Sequence, residues 1–452
     1  MRHQLVVKKA RVVKPHGIFP CTLVVDDGLV SGLARYGDLV LAEEEIDADD
    51  RFVIPGAIDT HVHLGGYTQE LEDDYRTESR AAATGGVTTF FHYLFHDGSY
   101  FDIFSDRVRA AEENSRVDVA FHLGIVMEDQ IEEIERYAQE LGIRSFKMLM
   151  GYKGREARRK IRGLDDGRIF RAFQRIARVK GGIALVHAEN MEVINALQEE
   201  MMPSGRQDNA AWSDCRPAFA ELDTVRRVMA FAREAGVELV IPHLGVGIGS
   251  QFIKDQPSNS LPVHMETCGH YLLLTKDLQL GALGKVNPPL REQAQVNALW
   301  DRIRDGTVDF MGSDHVPHTI ASKGEELWSA MPGLSGITMT LPILLSEGVH
   351  KRRLPLTKVV ELSSYRAAKV FRLYPQKGAL EVGSDADIVI VDLNKQVEIT
   401  PEVLNSVSDY TPYQGYISHG WPHMTISRGR VIYRDGQIVD REARGRCLSA
   451  ES

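Results

Sequence analysis

The sequence has 452 residues, and its 53 Lys plus Arg against 63 Asp plus Glu give a formal net charge of −10. That length fits one large domain with a small one, and the acidic balance argues against nucleic acid as a partner. No run approaches the ~18 apolar residues that span a bilayer, and the four scattered cysteines form no short-spaced pair. We therefore predict a cytoplasmic protein with no membrane contact and no disulfide framework.

Both ends of the chain carry short β-type runs separated by turn residues. These runs are residues 4–7, 22–25 and 29–33 near the start, and residues 386–391, 424–426, 430–433 and 437–439 near the end. Asp27-Gly28, Arg428-Gly429 and Asp435-Gly436 have the composition of tight hairpin turns. We expect the two ends to pair into one small β-sandwich domain, formed by residues 1–52 and 375–452.

Between the ends, short apolar runs alternate with amphipathic stretches, which is typical of parallel strands covered by helices. The predicted strands are residues 53–58, 87–93, 118–125, 145–150, 183–186, 238–241, 262–266 and 308–312. The predicted helices include residues 77–83, 129–141, 191–201 and 221–235, the last ending at Gly236 as a C-cap. Eight β/α repeats predict an α/β fold, a (β/α)8 TIM barrel over residues 53–374.

Candidate metal ligands follow the first predicted strand. Catalytic groups of a TIM barrel lie at the carboxyl ends of its strands. His61 and His63 occupy this position, and the alternation of an extended segment directs both imidazoles to one side. A single His-x-His also occurs by chance, so this pair alone does not establish a metal site.

Lys147 lies inside the apolar run of the fourth strand. A buried ammonium is costly, and a lowered lysine pKa leaves a neutral amine that reacts with carbon dioxide to form a carbamate. Such a carbamate is a bidentate anionic ligand able to bridge two cations. The alternative is an ammonium paired with a buried carboxylate.

His187, His243 and Asp314 end the fifth, sixth and eighth predicted strands. Each alone has an ordinary explanation, because histidines are often satisfied core residues and an aspartate often caps a helix. Together with the first and fourth strands they form one donor set. Imidazole and carboxylate ligands without cysteine suit zinc, manganese or iron.

Several motifs along nearly the whole chain resemble the amidohydrolase superfamily, and the cyclic amidohydrolases of the hydantoinase and dihydropyrimidinase group above all. They are residues 55–63, 83–89, 266–271, 287–291, 312–315 and 374–388, with the Lys147, His187 and His243 motifs. The resemblance implies hydrolysis of a C–N bond in a small cyclic amide. It also implies a homo-oligomer, a tetramer or a dimer, in which residues 408–415 resemble a tail that packs between subunits.

The resemblance implies two divalent metal ions, zinc or alternatively manganese or iron. Their ligands would be His61, His63, His187, His243, Asp314 and an N6-carboxylated Lys147 that bridges both ions. Asp314 would also act as general base and acid, taking the proton of a bridging hydroxide and passing it to the departing ring nitrogen. Tyr152 would bind the substrate and donate a hydrogen bond to the developing oxyanion.

Two further substrate contacts are implied, at Asn287 and at Ser335 in the turn of residues 332–336. Asn287, which precedes two prolines, is equally compatible with an ordinary turn. Dihydroorotases and many allantoinases place an arginine shortly after the His-x-His, where this chain has Leu64-Gly65-Gly66. We therefore predict an uncharged hydantoin or dihydropyrimidine ring as substrate, with allantoin as the alternative and dihydroorotate disfavoured.

Two alternatives remain open at this stage. Some dihydropyrimidinase-like proteins are non-enzymatic assembly proteins that have lost metal ligands, whereas this chain retains the full set. The basic residues 153–162 form either a solvated face or an anion-attracting lid over the site.

Overall fold

The N-terminal part of the chain forms strands that end before the barrel begins. The computed structural model describes residues 2–65, 69–157, 160–255, 262–440, 442 and 444–449. The strands are β1 (His3–Lys14), β2 (Gly17–Asp26), β3 (Leu29–Arg35), β4 (Ala42–Asp47) and β5 (Phe52–Pro55). Asp27 and Gly28 have φ angles of 52° and 76°, which is the geometry of a tight hairpin turn. The predicted hairpin between β2 and β3 is confirmed.

The central part of the chain forms a barrel of parallel strands. They are β6 (Ala57–Val62), β7 (Val87–Leu94), β8 (Asp118–Gly124), β9 (Ser145–Leu149), β10 (Ile183–His187), β11 (Glu238–Ile241), β12 (Val263–Cys268) and β13 (Phe310–Gly312). Each strand pairs with the next in chain order. A parallel bridge between Val62 and His315 brings the first strand to the last, and the His63 N–H donates to the His315 carbonyl at 2.8 Å. The predicted TIM barrel is confirmed.

Helices follow the barrel strands along the chain, and the last one lies in the C-terminal segment beyond the barrel. They are α1 (Leu71–Thr84), α2 (Phe104–Asn114), α3 (Glu128–Glu132), α4 (Ile134–Glu140), α5 (Asp166–Ile176), α6 (Met191–Met201), α7 (Asn209–Asp214), α8 (Ala218–Ala235), α9 (Gly269–Leu273), α10 (Gln293–Asp305), α11 (Ile320–Lys323), α12 (Thr340–Ile343), α13 (Leu356–Val360), α14 (Arg366–Val370) and α15 (Pro401–Leu404). Gly236, with φ of 71°, ends α8 as predicted. The helix predicted over residues 129–141 is instead two short helices, α3 and α4. Within the described residues, no helix has both the length and the apolar character to cross a bilayer.

The C-terminal strands join the N-terminal ones in a single mixed sheet. They are β14 (Ile388–Glu398), β15 (Ile417–Ser427), β16 (Arg430–Arg434) and β17 (Gln437–Ile438). Strand β5 pairs in parallel with β1 on one side and antiparallel with β14 on the other. Leu5, Val53 and Ile388 share one buried apolar cluster. The predicted pairing of the two chain ends is confirmed.

The first predicted barrel strand, residues 53–58, was wrong as a single element. The chain divides at Gly56 into β5 of the mixed sheet and β6 of the barrel. The Gly56 N–H donates to the Asp387 carbonyl, and the next N–H, of Ala57, donates to Gly86, so consecutive residues pair with different sheets. A side chain at Gly56 would collide with Thr88, which explains why glycine stands at the junction.

Candidate metal centre

A pocket opens at the carboxyl ends of the barrel strands and encloses about 620 Å³, solvent-open space included. The six predicted ligands all line it: His61, His63, Lys147, His187, His243 and Asp314. They come from β6, β9 and β10 and from the residues directly after β6, β11 and β13. The barrel therefore brings together side chains that are up to 253 residues apart in sequence, from His61 to Asp314.

The first donor group is His61, His63 and Asp314. The Nε2 atoms of both histidines lie 3.2 Å from the Asp314 Oδ1. Two ligands each about 2.1 Å from a tetrahedrally bound zinc are about 3.4 Å apart, so these spacings fit one ion. The donor atoms of all three residues lie within 4.8 Å of one another.

The second donor group is His187, His243 and Lys147. The His187 Nδ1 is 3.1 Å from the His243 Nε2, and the Lys147 Nζ is 3.3 Å from the same atom. The spacing of the two imidazole nitrogens also fits shared coordination of one ion. The rings of His61 and His243 lie 5.1 Å apart, so the two donor groups are neighbours and Lys147 lies beside both.

Burial sets the protonation of these groups. It lowers the pKa of His61 and His243 well below the usual range and lowers the pKa of the Lys147 ammonium to about 7. Burial alone would raise the pKa of Asp314, but the neighbouring histidines hold it well below its ordinary value. Neutral imidazoles, an ionised carboxylate and a readily neutralised amine are the forms that bind metals or carbon dioxide.

The carboxylate of Glu266 supports both donor groups and received no role from the sequence. It accepts a hydrogen bond from the Thr60 hydroxyl at 2.5 Å, lies 2.9 Å from the His61 Nδ1, and accepts from the His243 N–H at 3.0 Å. Carboxylates that bond the outer nitrogen of a ligating histidine fix its tautomer and orientation. A side chain at Gly312 would come within 2.7 Å of this carboxylate, so glycine is needed there. An acidic residue inside a buried barrel strand was the signal that could have identified Glu266.

A second carboxylate, Glu189, plays the same part for His187. The His187 Nε2 lies 2.7 Å from the Glu189 Oε2, and Arg216 donates to both carboxylate oxygens at 2.8 and 2.7 Å. Burial opposes ionisation, yet the charge of Arg216 and the hydrogen bond of His187 lower the pKa of Glu189 to about 2. A side chain at Gly151 would lie 2.6 Å from the His187 ring, so glycine permits this close approach.

Tyr152, His243 and Asp314 adopt the left-handed backbone region, with φ angles of 56°, 41° and 48°. Non-glycine residues held in this region carry strain and concentrate at functional sites. The Tyr152 ring lies 5.1 Å from the His187 ring, at the wall of the pocket. Loss of hydration, with the nearby charge of Asp314, raises the pKa of Tyr152 well above its usual value, so its hydroxyl remains a donor.

The two remaining predicted substrate contacts differ in position. Asn287 lines the pocket, and its amide is bonded to Glu156 and Trp212. Ser335 is buried behind the wall, 3.4 Å from the His315 Nδ1, while Pro332 and Gly333 of the same turn line the cavity.

Two segments singled out in the sequence are only partly described. Gly66 of the Leu64-Gly65-Gly66 stretch lies outside the described residues, as do residues 158–159 of the basic segment. At the far end of that segment, Ile161 lines the pocket and the Arg162 Nε donates to the Val126 carbonyl at 3.2 Å.

A second group of buried acids lies at the opposite end of the barrel. Asp118, Asp385 and Asp387 place their oxygens close enough to hold a cation. The Lys377 ammonium already occupies that position, at 2.5, 2.9 and 2.7 Å from the three carboxylates. This cluster is a buried ion-pair network.

Comparison with known proteins gives a consistent result. The model of the amidohydrolase family matches residues 52–432. An L-hydantoinase of Paenarthrobacter aurescens is 33% identical over 98% of this chain and 98% of its own, and an allantoinase of Rubrobacter xylanophilus is 34% identical over 97% and 96%. The solved L-hydantoinase (dihydropyrimidinase) of Arthrobacter aurescens is 32% identical, with a TM-score of 0.92 over 99% of this chain and 100% of that structure. The resemblance read from the motifs is confirmed.

Proposed function

Because this chain belongs to the amidohydrolase family, we propose that it hydrolyses the C–N bond of an uncharged cyclic amide, a hydantoin or dihydropyrimidine ring. The observation that carries the proposal is the meeting of six metal-binding side chains in one pocket, where two donor groups have spacings that fit one ion each. Two neighbouring metal ions can lower the pKa of a bound water, so that it attacks an amide carbonyl at neutral pH.

In this proposal His61, His63 and Asp314 hold one divalent ion, and His187 and His243 hold the other. Zinc is the ion we expect, with manganese or iron as alternatives, because all the donors are imidazole nitrogens and carboxylate oxygens. When bound, the two ions supply a water activated at neutral pH and polarise the amide carbonyl.

Lys147 is proposed to bridge the two ions as an N6-carboxylysine. Its side chain is only 1% exposed, its Nζ lies 3.3 Å from the His243 Nε2, and the charges of Glu266 and Asp314 only partly offset the effect of burial on its pKa. Burial lowers its pKa to about 7, so a large fraction of the amine is neutral and nucleophilic near neutral pH. Addition of the neutral amine to carbon dioxide, with release of one proton, would give an anionic carbamate ligand.

Asp314 and Tyr152 carry the proton transfer and the charge stabilisation. The Asp314 carboxylate, held ionised beside the histidines, takes the proton of the attacking water and delivers it to the departing ring nitrogen. The Tyr152 hydroxyl, which stays protonated, donates to the oxygen that gains charge as the amide is attacked. Asn287 is proposed to contact the ring, and Ser335 to support the turn that borders it.

The character of the pocket wall supports an uncharged ring. Phe95, Leu149, Ile161, Val316 and Met331 form its apolar lining. No arginine occurs among the described residues that line it, so nothing there offers the bidentate partner that a substrate carboxylate prefers. Allantoin is the second candidate, because one relative of similar identity and coverage is an allantoinase.

The test is a side-by-side assay of the metal-loaded protein with hydantoin, 5-substituted hydantoins, dihydrouracil, allantoin and dihydroorotate. We expect the highest kcat/KM for a hydantoin with an apolar 5-substituent or for dihydrouracil. Preference for dihydroorotate would contradict the proposal. A well-folded preparation that binds no metal and opens no ring after addition of zinc and bicarbonate would favour an assembly protein.

We also propose that the chain acts in the cytoplasm as a homo-oligomer, a tetramer or a dimer, with its domains divided at residues 52/53 and 374/375. Sedimentation of the purified protein tests the oligomeric state. Limited proteolysis tests both boundaries, of which the first lies a few residues before the junction of β5 and β6 at Gly56.

A further inference from the structure

Arg216 is a buried guanidinium held between two carboxylates at the side of the pocket. Its side chain is fully buried, and it donates through Nη1 to both oxygens of Glu189 and through Nη2 to Glu156. The guanidinium also lies over the Trp212 ring, 4.4 Å from its centroid. Each branch of the guanidinium therefore has its own carboxylate partner.

Through Glu189, Arg216 is connected to the candidate metal centre. Glu189 accepts from Arg216 and lies 2.7 Å from the His187 Nε2, which leaves the His187 Nδ1 facing His243. With both carboxylate oxygens engaged by Arg216, rotation of Glu189 is restricted. The orientation of the His187 imidazole thus depends on the position of Arg216.

Through Glu156, Arg216 is connected to Asn287, in the loop that borders the pocket. The Glu156 Oε2 accepts from the Asn287 Nδ2 at 3.3 Å, and the Asn287 Oδ1 accepts from the Trp212 Nε1 at 3.1 Å. Gln198 donates to the Glu156 Oε1 at 3.0 Å. The amide of Asn287 is therefore held at both ends by groups that themselves contact Arg216.

A buried ion pair is a poor source of stability, because desolvation offsets most of its attraction and apolar replacements are often as stable. Such a network can instead hold the side chains that it connects in one fixed orientation. We propose that Arg216 is a positioning residue that holds the His187 side of the metal centre and the Asn287 loop in one fixed relation, through Glu189 and Glu156. This inference rests on the proposed function only for the substrate-facing half.

The two halves are separated by two variants. Glu156→Gln removes the carboxylate charge that joins Arg216 to Asn287 but leaves the Arg216–Glu189 pair in place, so we expect KM to rise about tenfold, with metal affinity and kcat little changed. Arg216→Lys keeps the charge but gives up the bidentate contact. We expect it to raise KM and also to weaken metal binding by about 10- to 100-fold, as for other groups that orient a ligand.

Glu238→Gln is the matched control. The Glu238 side chain is 15% exposed against 14% for Glu156, and it also pairs with an arginine, Arg372, but at the start of β11, away from the pocket. We expect it to lower Tm without changing KM or metal affinity. Metal affinity is measured by chelator competition with zinc, which needs no turnover.

The outcomes are distinguishable. If Arg216→Lys and Glu156→Gln lower only Tm, as the control does, Arg216 is merely structural and the inference fails. If Glu156→Gln weakens metal binding as much as Arg216→Lys does, the His187 side depends on Glu156 as strongly as on Arg216, and the positioning role assigned to Arg216 through Glu189 fails. If wild type opens no cyclic amide, the proposed function fails, while a zinc affinity reduced by Arg216→Lys but not by Glu156→Gln still supports the metal-facing half.

Discussion

The two ends of the barrel collect the same residue types in opposite electrostatic settings. At the carboxyl end, Lys147 faces a histidine, and burial lowers its pKa to about 7. At the other end, Lys377 is equally buried, but three carboxylates outweigh burial and raise its pKa. A lysine inside a barrel is thus a reactive amine or a permanent cation according to which groups surround it.

The histidines repeat the contrast. Burial lowers the pKa of His61 and His243, which lie among the other proposed metal ligands. At the opposite end, Asp309 and Glu238 outweigh burial and raise the pKa of His264 to about 9. The carboxyl end therefore collects neutral imidazoles, one carboxylate and a lysine whose pKa is lowered, whereas the carboxylates of the other end are neutralised by Lys377 and His264.

The largest effect is expected for Lys147→Ala, which removes the proposed bridging ligand. We expect it to abolish hydrolysis of the best cyclic amide, with Tm changed by only a few degrees because Lys147 forms no salt bridge with any residue that the structure describes. Formate or acetate should restore part of the activity by occupying the place of the carbamate. Full activity of Lys147→Ala without an added carboxylic acid would contradict the proposal that Lys147 bridges the two ions.

Lys377→Met should give the reverse pattern. It leaves three buried carboxylates without their ammonium, and loss of one partner of a buried pair costs about 3–5 kcal/mol. Thermal and urea unfolding measure the loss, and kcat per folded, metal-loaded molecule should equal that of wild type. A variant as stable as wild type would contradict the contrast between the two ends.

Tyr152→Phe tests the oxyanion donor while keeping the ring against His187. We expect kcat to fall by about 10²- to 10³-fold, the usual result of losing one such donor. KM and zinc content should change little, because the hydroxyl contributes mainly as charge develops. An unchanged kcat would mean that other groups, and not the Tyr152 hydroxyl, stabilise the developing charge.

The smallest expected effect is a pH-dependent change in stability caused by His264 at the amino end of the barrel strands. The folded pKa of His264 lies above its unfolded value, so its contribution is complete below about pH 6.5 and is lost as pH rises through about 9. A shift of this size corresponds to about 3 kcal/mol. We expect wild type to exceed His264→Gln in Tm at pH 6 and the difference to shrink at pH 9.5. A difference independent of pH would show that His264 is neutral when folded.

Strand periodicity was sufficient to predict the barrel, because each buried strand is a nearly continuous apolar run. The ligand-type residues at strand ends were predictable for the same reason, since the fold dictates which ends meet. The turn at Gly56 was not, because the apolar run continues across the junction and only the pairing partners differ. Glu266 was missed although an acidic residue inside a buried strand marked it. Arg216 was missed because its importance lies in a contact with Glu189 that no local pattern records.

The position of β5 has a consequence for biosynthesis. Its partner β14 emerges from the ribosome roughly 330 residues after it. At the usual elongation rate that delay is on the order of 20–60 s, during which an apolar strand edge stays open beside β1. Chains released before β14 is made would keep this edge exposed, so C-terminal truncation is expected to cause aggregation through the N-terminal strands even when the barrel segment is intact.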